Sequence, residues 1–344
     1  MTRELLNTLF VSTPGAYVRV DHETLCVELE GKKVFQVPVH HLGGLVLFGG
    51  VGISGEALRR CAKEGRQVTL LDHGGRFQAR VVGPTSRNVL LRKAQYEAHC
   101  CSRRTLEIAR MIAAGKLRNS RGVLVRAARE AHRPGAADRL REAAAQCALL
   151  LEGMEEASSL DQLRGHEGQV AALYFGAFGE MLGVPTEEFA FRHRTRRPPR
   201  DRVNALLSFL YTLLTADCVA AIEGVGLDPQ FGYLHALRPG RPALALDLVE
   251  EFRAPVADRL VLTLINRRQV RPEHFEERPG GSATLTAEGR KLVLAAYQRR
   301  KQDEVPHPLF GQPVPLGLAP HLQARLLARH LRGELLHYPP YVHR

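Results

Sequence analysis

From Leu5 to Val82 apolar and polar positions alternate in short runs, LNTLFVS, AYVRV, TLCVEL, KVFQVPV, LVLF, VTLLD and FQARVV, set apart by glycine, proline and His-Asp pairs. A period of two over such lengths predicts β-strands. One helix interrupts them, with Ser54 as N-cap, Glu56 in its first turn, Ala57, Leu58 and Ala62 on its apolar face and Gly65 as its stop. Beyond Gly83-Pro84 the strand pattern ceases. Helical periodicity then runs to about residue 300, broken at Arg133-Pro134-Gly135, Pro198-Pro199 and Pro279-Gly280-Gly281. The stretch VPHPLFGQPVPLGLAP reads as extended and precedes a short amphipathic helix around His321 to Arg332. The pattern therefore predicts an α+β chain: a small β-rich domain over residues 1–85 and a larger, mainly α-helical domain over 86–344.

The 344 residues, 44% of them hydrophobic, suffice for two domains at roughly 100–200 residues each. Lysine and arginine number 48 against 36 acids, a formal charge of +12. That balance suits a polyanion, and nucleic acid is preferred over an anionic membrane surface. The apolar run Ala205 to Ala216 contains Ser208, Tyr211, Thr212 and Thr215 and falls short of the roughly 20 residues that span a bilayer, so a buried helix is expected there. Arg3, Glu4 and Asn7 interrupt the start before a signal-peptide core can form, which predicts a cytoplasmic protein. Cys26, Cys61, Cys100, Cys101, Cys147 and Cys218 form no CxxC pair. They read as reduced, small core residues, with neither a zinc site nor a disulfide framework.

Candidate chemistry concentrates in the helical part. Helical spacing places Glu167 on the stripe Leu163, Val170, Tyr174 and Ala177, otherwise apolar. A carboxylate facing a core needs a cation. The competing account makes Glu167 a helix-start acid favoured by the dipole. His235 lies before the tight Arg238-Pro239-Gly240-Arg241-Pro242 loop, and Asp247 and Glu250, three apart, share one helix edge. Together these four read as a divalent-metal site, although a structural histidine and a solvated acidic edge paired to Arg253 would account for the last three. Hard oxygen ligands with one imidazole favour Mg2+ or Mn2+.

Beside them, RHRTRRPPRDR carries Arg192, Arg194, Arg196, Arg197, Arg200 and Arg202 against a single acid. Its prolines are expected to keep it extended, so that guanidinium groups fork onto successive DNA phosphates. Arg238 and Arg241 are assigned to the same track, which Lys116, Arg118, Arg121, Arg267 and Arg268 could extend. With no tryptophan and 6% aromatics, backbone contact is favoured over base stacking. Three other readings weigh less. Gly50-Val51-Gly52-Ile53-Ser54-Gly55 matches a dinucleotide fingerprint, but four strand-like segments precede it and no second set of alternating strands and helices follows; the glycines instead suit close packing of a crossover helix. Tyr174 sits on the apolar stripe and reads as core rather than as a recombinase nucleophile, and no GxSxG elbow is present.

The strings HEGQVAALYF, RRPPRDRVNALLSFLYTLL, GLDPQFGYLH and LALDLVEEFRAPVADRLVLTLINR, with GRFQARVVGP in the β-rich part, resemble the CRISPR-associated spacer-acquisition endonuclease and integrase ("Cas-one") family, as found in type I systems, over nearly the whole chain. The resemblance implies that Glu167, His235 and Glu250 are the catalytic metal ligands and that Asp247 supports them or adds a ligand. It also implies a homodimer, joined by a dimer of a small companion subunit ("Cas-two"), that inserts short duplexes as new spacers into the repeats of a CRISPR array by attack of a 3'-hydroxyl on a phosphodiester. Glu250 departs from the aspartate of many relatives, as do Ser120 from a frequent glutamine and Arg202 from a common proline. A DNA-binding scaffold without catalysis is the alternative.

Overall fold

The computed structural model describes residues 7–72, 77–81, 83, 88–131, 133–184 and 187–343. The chain divides into two compact units, Met1–Arg87 with Leu285–Gln298, and Asn88–Thr284 with Arg299–Arg344. Residues 285–298 follow the helical pattern, yet they group with the β-rich unit. A linear pattern registers periodicity, not long-range partners.

The first unit holds two four-stranded sheets. In one, β1 (Asn7–Val11), β5 (Leu42–Leu47) and β7 (Gln67–Leu71) run parallel and β8 (Phe77–Val81) pairs antiparallel to β7. In the other, β2 (Tyr17–Asp21), β3 (Thr24–Leu29) and β4 (Lys32–Pro38) form an antiparallel meander, and β6 (Gly52–Ile53) joins β2 in parallel. Alternation works as expected: Val18, Leu25, Val27, Leu45, Leu47 and Val68 are buried in one core. The start of the first expected strand, at Leu5 and Leu6, and the break at Pro84 lie outside the described residues.

Helix α1 (Gly55–Lys63) crosses from β5 to β7, with the Ser54 side chain accepting from Ala57 N. It buries Ala57 and Cys61. The glycine-rich segment before it does not open straight from strand to helix as a dinucleotide fingerprint requires. It detours through β6, where a Cβ on Gly52 would lie 2.7 Å from Cδ2 of Tyr17. The glycine is needed for sheet packing.

The second unit is helical: α2 (Val89–Cys100), α3 (Ser102–Glu130), α4 (Ala136–Glu156), α5 (Leu160–Phe178), α6 (Arg202–Val225), α7 (Ala243–Phe252) and α8 (Arg259–Asn266). A six-residue π-helical segment, Arg253–Asp258, joins α7 to α8. Two hairpins correct the expectation that strands cease after Pro84. The first pairs β9 (Phe275–Arg278) with β10 (Ser282–Leu285), its turn made by the Gly280-Gly281 break, where both glycines have positive φ. After α9 (Ala287–Gln302), the proline-rich stretch folds back as β11 (Glu304–Pro306) against β12 (Pro313–Pro315), and α10 (Ala319–Leu331) follows.

Helix α3 packs on α4, α5 and α7, and α6 packs on α7 and α10. Helix α6 is long and apolar enough to cross a membrane by length and composition. Val203, Leu206, Leu210, Leu213 and Ile222 are instead buried in this unit. Its N-cap Asp201 accepts from Asn204 N at 2.7 Å, and Gly226 ends it at φ 90°. Cys26, Cys61, Cys147 and Cys218 are buried, but Cys100, read from sequence as a core residue, is exposed at the end of α2.

Ser54→Ala removes the α1 cap. Urea unfolding should then show a loss of about 1 kcal/mol; no loss would mean that the cap does not stabilise the first unit.

Candidate functional site

Glu167 lies in the second turn of α5, not at its start, which Ser159 caps by accepting from Gln162 N. Leu163, Val170, Tyr174 and Ala177 of its stripe are buried, so Glu167 faces inward, with 27% of its side chain exposed. The helix-start account of this residue does not hold. Glu250 on α7 is 2% exposed and Asp247 fully buried. The solvated acidic edge is therefore excluded, although Glu250 does pair with Arg253, Nη1 to Oε1, at 2.8 Å.

The joining group is Lys116 on α3. Its ammonium contacts Glu167 Oε1 and stands 2.8 Å from Glu250 Oε2, bridging α5 to α7. From sequence alone Lys116 reads as one of several cations that could extend the DNA track. The signal that could have corrected this is its setting in IAAGKL, between buried Ala113 and Leu117 on a helix covered along much of its length. A lysine there needs an anion, by the same logic that applied to Glu167.

His235 lies in the loop between α6 and α7. Asp247 organises that loop: its Oδ2 accepts from Tyr233 N (2.6 Å) and Leu234 N (3.0 Å), its Oδ1 from His235 N (2.9 Å). The ring nitrogen Nδ1 of His235 is 2.7 Å from the same Oδ1. A carboxylate only accepts, so Nδ1 donates the proton of that bond and Nε2 is turned away from Asp247. Nε2 lies 3.7 Å from Glu250 Oε1. A Cβ on Gly232 would lie 2.7 Å from Asp247 Oδ2, so the loop closes over the carboxylate only with glycine there. Arg164 Nε donates to Leu234 O at 2.9 Å, fastening the loop to α5.

The structure thus brings Glu167, His235 and Glu250 to one place, with Asp247 behind the imidazole. It does not leave them as a ready ligand cluster: among the described residues no three His, Cys, Asp or Glu side chains could hold an ion as they stand, and Lys116 fills the space between the two glutamates. Two observations fit a cation nonetheless. Glu250 Oε2 is buried and has the Lys116 ammonium 2.8 Å away as its counter-charge. Nε2 of His235 faces the same carboxylate, the usual geometry of a ligating histidine oriented by an acid.

Burial alone would raise the Glu250 carboxyl, but Arg253, then Lys116 and His235, outweigh it and hold it at about 2. Behind it, Tyr211 and Tyr174 donate to the two oxygens of Asp258 at 2.6 and 2.9 Å. Burial raises Asp258 to about 6 against those bonds and against Arg253 and Arg194. Tyr174 is core, as expected. Arg253 and Arg194 lie over the Tyr211 ring at 5.0 and 5.3 Å.

The arginines divide. Arg192, Arg196, Arg197, Arg200 and Arg238 are exposed and Arg241 half-buried. Arg194 turns inward, donating to Asn204 Oδ1 (2.7 Å) and Ser208 Oγ (3.0 Å), and Arg202 donates to Glu188 O (2.6 Å). These two are engaged within the fold, along α6 and in its preceding loop, and are not extended as phosphate forks. Arg241, its guanidinium pKa lowered by burial and then by Arg238, also feels Asp247, Arg197 and Arg164. A basic neighbourhood therefore adjoins the carboxylates.

A family model described as CRISPR associated protein Cas1 matches residues 9–299. The chain belongs to the Cas1 family. A CRISPR-associated endonuclease Cas1 of Moorella thermoacetica is 53% identical over 340 residues, 99% of each chain. A casposase bound to an integration product superposes with a TM-score of 0.83 at 25% identity, covering 96% of this chain and 93% of that one. A CAS1 protein from Thermotoga maritima gives 0.81 at 25% identity, covering 95% and 97%. The chain is accordingly an enzyme of a CRISPR-associated endonuclease family, one that depends on a divalent metal, with the α+β architecture of that family. The non-catalytic scaffold is disfavoured.

Two measurements check the geometry. Asp247→Ala strands three loop amides, and urea unfolding should show a loss of about 3 kcal/mol. For Glu250 the folded pKa lies below the ordinary 4.5, so its stabilisation is complete above that value and is lost as pH falls through about 2. The stability gap between the wild type and Glu250→Gln in metal-free buffer, roughly 3 kcal/mol at neutral pH, should close between pH 5 and 2. A gap independent of pH would show that the Glu250 charge is not compensated as described.

Proposed function

We propose that this chain is a divalent-metal-dependent DNA endonuclease and integrase that inserts short DNA fragments into a CRISPR array. The observation that carries the reading is that Lys116 bridges Glu167 and Glu250 while Nε2 of His235 lies 3.7 Å from Glu250 Oε1. Glu167, His235 and Glu250 would hold Mg2+ or Mn2+, and Asp247 orients the His235 ring through Nδ1. When bound, the ion would supply charge neutralisation and Lewis acidity for phosphodiester chemistry. Arg253 holds Glu250 ionised and fixes its Oε1. The exposed Arg192, Arg196, Arg197 and Arg200, with Arg238 and Arg241, draw in the phosphate backbone and hold it near the carboxylates.

Water as nucleophile gives cleavage; a DNA 3'-hydroxyl gives joining. The basic charge supports double-stranded DNA, fragment and repeat, as substrate. Family membership supports a homodimer working with the dimeric companion subunit, in the cytoplasm. The β-rich unit, with Phe35 and Phe77 exposed on strands β4 and β8 at the edges of its two sheets, serves dimerisation or partner contact.

Glu167→Ala, His235→Ala and Glu250→Ala should each reduce cleavage and strand joining of labelled duplexes by at least about a hundredfold, with circular dichroism unchanged. Full activity in a folded variant removes that residue from the site. Duplex affinity should fall by about three decades between 50 and 200 mM salt if about six phosphates are contacted, and Arg238→Ala should lower the slope by about one. A flat salt profile would take these arginines off the DNA.

A further inference from the structure

We propose that Lys116 is a resident placeholder cation: its ammonium occupies the gap between Glu167 and Glu250 while the divalent ion is absent and withdraws when the ion enters. The inference rests on the metal reading above and adds to it a residue that competes with the ion. Without some cation, two carboxylates facing one buried space repel each other and remain desolvated, which the folded state cannot tolerate cheaply. The two glutamates are not equally dependent on the lysine. Glu250 has Arg253 at 2.8 Å on its other oxygen, whereas the ion pair that Glu167 makes is with Lys116. The lysine therefore serves the gap itself rather than Glu250 alone.

Its chemistry suits exchange. An ammonium is a compact point charge on a flexible four-carbon stem, where a guanidinium would lock into a bidentate fork. Its approach to Glu250 Oε2, at 2.8 Å, is an ion pair. The lysine side chain is 11% exposed, so the pocket leaves it little alternative to these two anions until another cation satisfies them. Arg253 stays in place throughout, because it is fixed against Tyr211 and binds the oxygen of Glu250 that Lys116 does not touch.

The test is calorimetric titration of the chelator-stripped, full-length protein with Mn2+, for the wild type, Lys116→Met, Lys116→Gln and, as a control, Glu167→Gln. Removing a competing charge from the gap should tighten Mn2+ binding about tenfold or more in whichever lysine variant folds. Saturating Mn2+ should also raise the melting temperature of that variant more than it raises the wild type's. Glu167→Gln should bind at least about tenfold more weakly. If the lysine variants bind no tighter than the wild type while Glu167→Gln still loses affinity, the placeholder role is overturned and the metal reading stands. If the wild type binds no Mn2+, both fall. A measurement on the unaltered chain is independent of variant folding: acetylation of Lys116, read by peptide mass spectrometry, should rise severalfold when Mg2+ is added to saturation. Unchanged labelling would overturn the proposal.

Discussion

The compensation of one buried charge organises the second unit. A carboxylate as enclosed as that of Glu250 costs several kcal/mol unless cations meet it. Here two do, from opposite sides: Arg253, at the start of the π-helical segment, and Lys116, from α3. Because Lys116 also reaches Glu167 on α5, three helices far apart in the chain are tied through two carboxylates and one ammonium. These ion pairs add to the apolar packing of the same helices.

The neighbours of these residues in sequence point elsewhere, and that is how the rest of the unit is attached. Successive helical positions are turned by about 100°, so when Glu250 faces the site, Glu251 faces away. Its carboxylate accepts from Tyr338 OH (2.7 Å), Tyr341 N (2.6 Å) and Gln323 Nε2 (3.1 Å). Likewise Lys116 enters the site while Gly115, before it, leaves room for Pro340, against which a Cβ would stand at 2.8 Å. Asn119 closes the arrangement, donating to Glu251 O and Tyr341 O and accepting from His343 N. The last residues thus back the same pair of helices whose other faces carry the candidate site. The end of the chain braces α3 against α7.

Much of this was legible in the amino-acid order, and the physical reason is local periodicity. Strands with one buried face show period two, and the Ser54 cap and the 133–135 and 198–199 breaks are turn chemistry that needs no tertiary context. Glu167 was found because a single charge in an apolar stripe is anomalous on its own helix. What stayed hidden depends on partners distant in sequence. From sequence Lys116 reads as one of several cations that could extend the DNA track, and Arg194 and Arg202 as phosphate ligands. A guanidinium satisfied by Asn204, Ser208 or a backbone carbonyl has the same sequence signature as one that reaches solvent. The grouping of residues 285–298 with the β-rich unit is hidden for the same reason, since the tie between Gln298 Nε2 and Thr8 O spans almost the whole chain.

The same balance of charge bears on how a polyanion could approach an acidic site at all. An uncompensated cluster of Glu167, Asp247 and Glu250 would repel a phosphodiester at the position where it must react. Lys116 and Arg253 offset two of those charges inside the protein, and the amides of Tyr233, Leu234 and His235 surround the third. Burial, and then the nearby Arg238, Arg197 and Arg164, lower the pKa of Arg241, against Asp247, which raises it. The mutual repulsion of these arginines is an energetic cost of the fold, relieved when phosphates arrive. Attraction for the backbone is thereby built into the protein charges, separately from the residues that would hold the ion. Binding and chemistry meet at one place but rest on different groups.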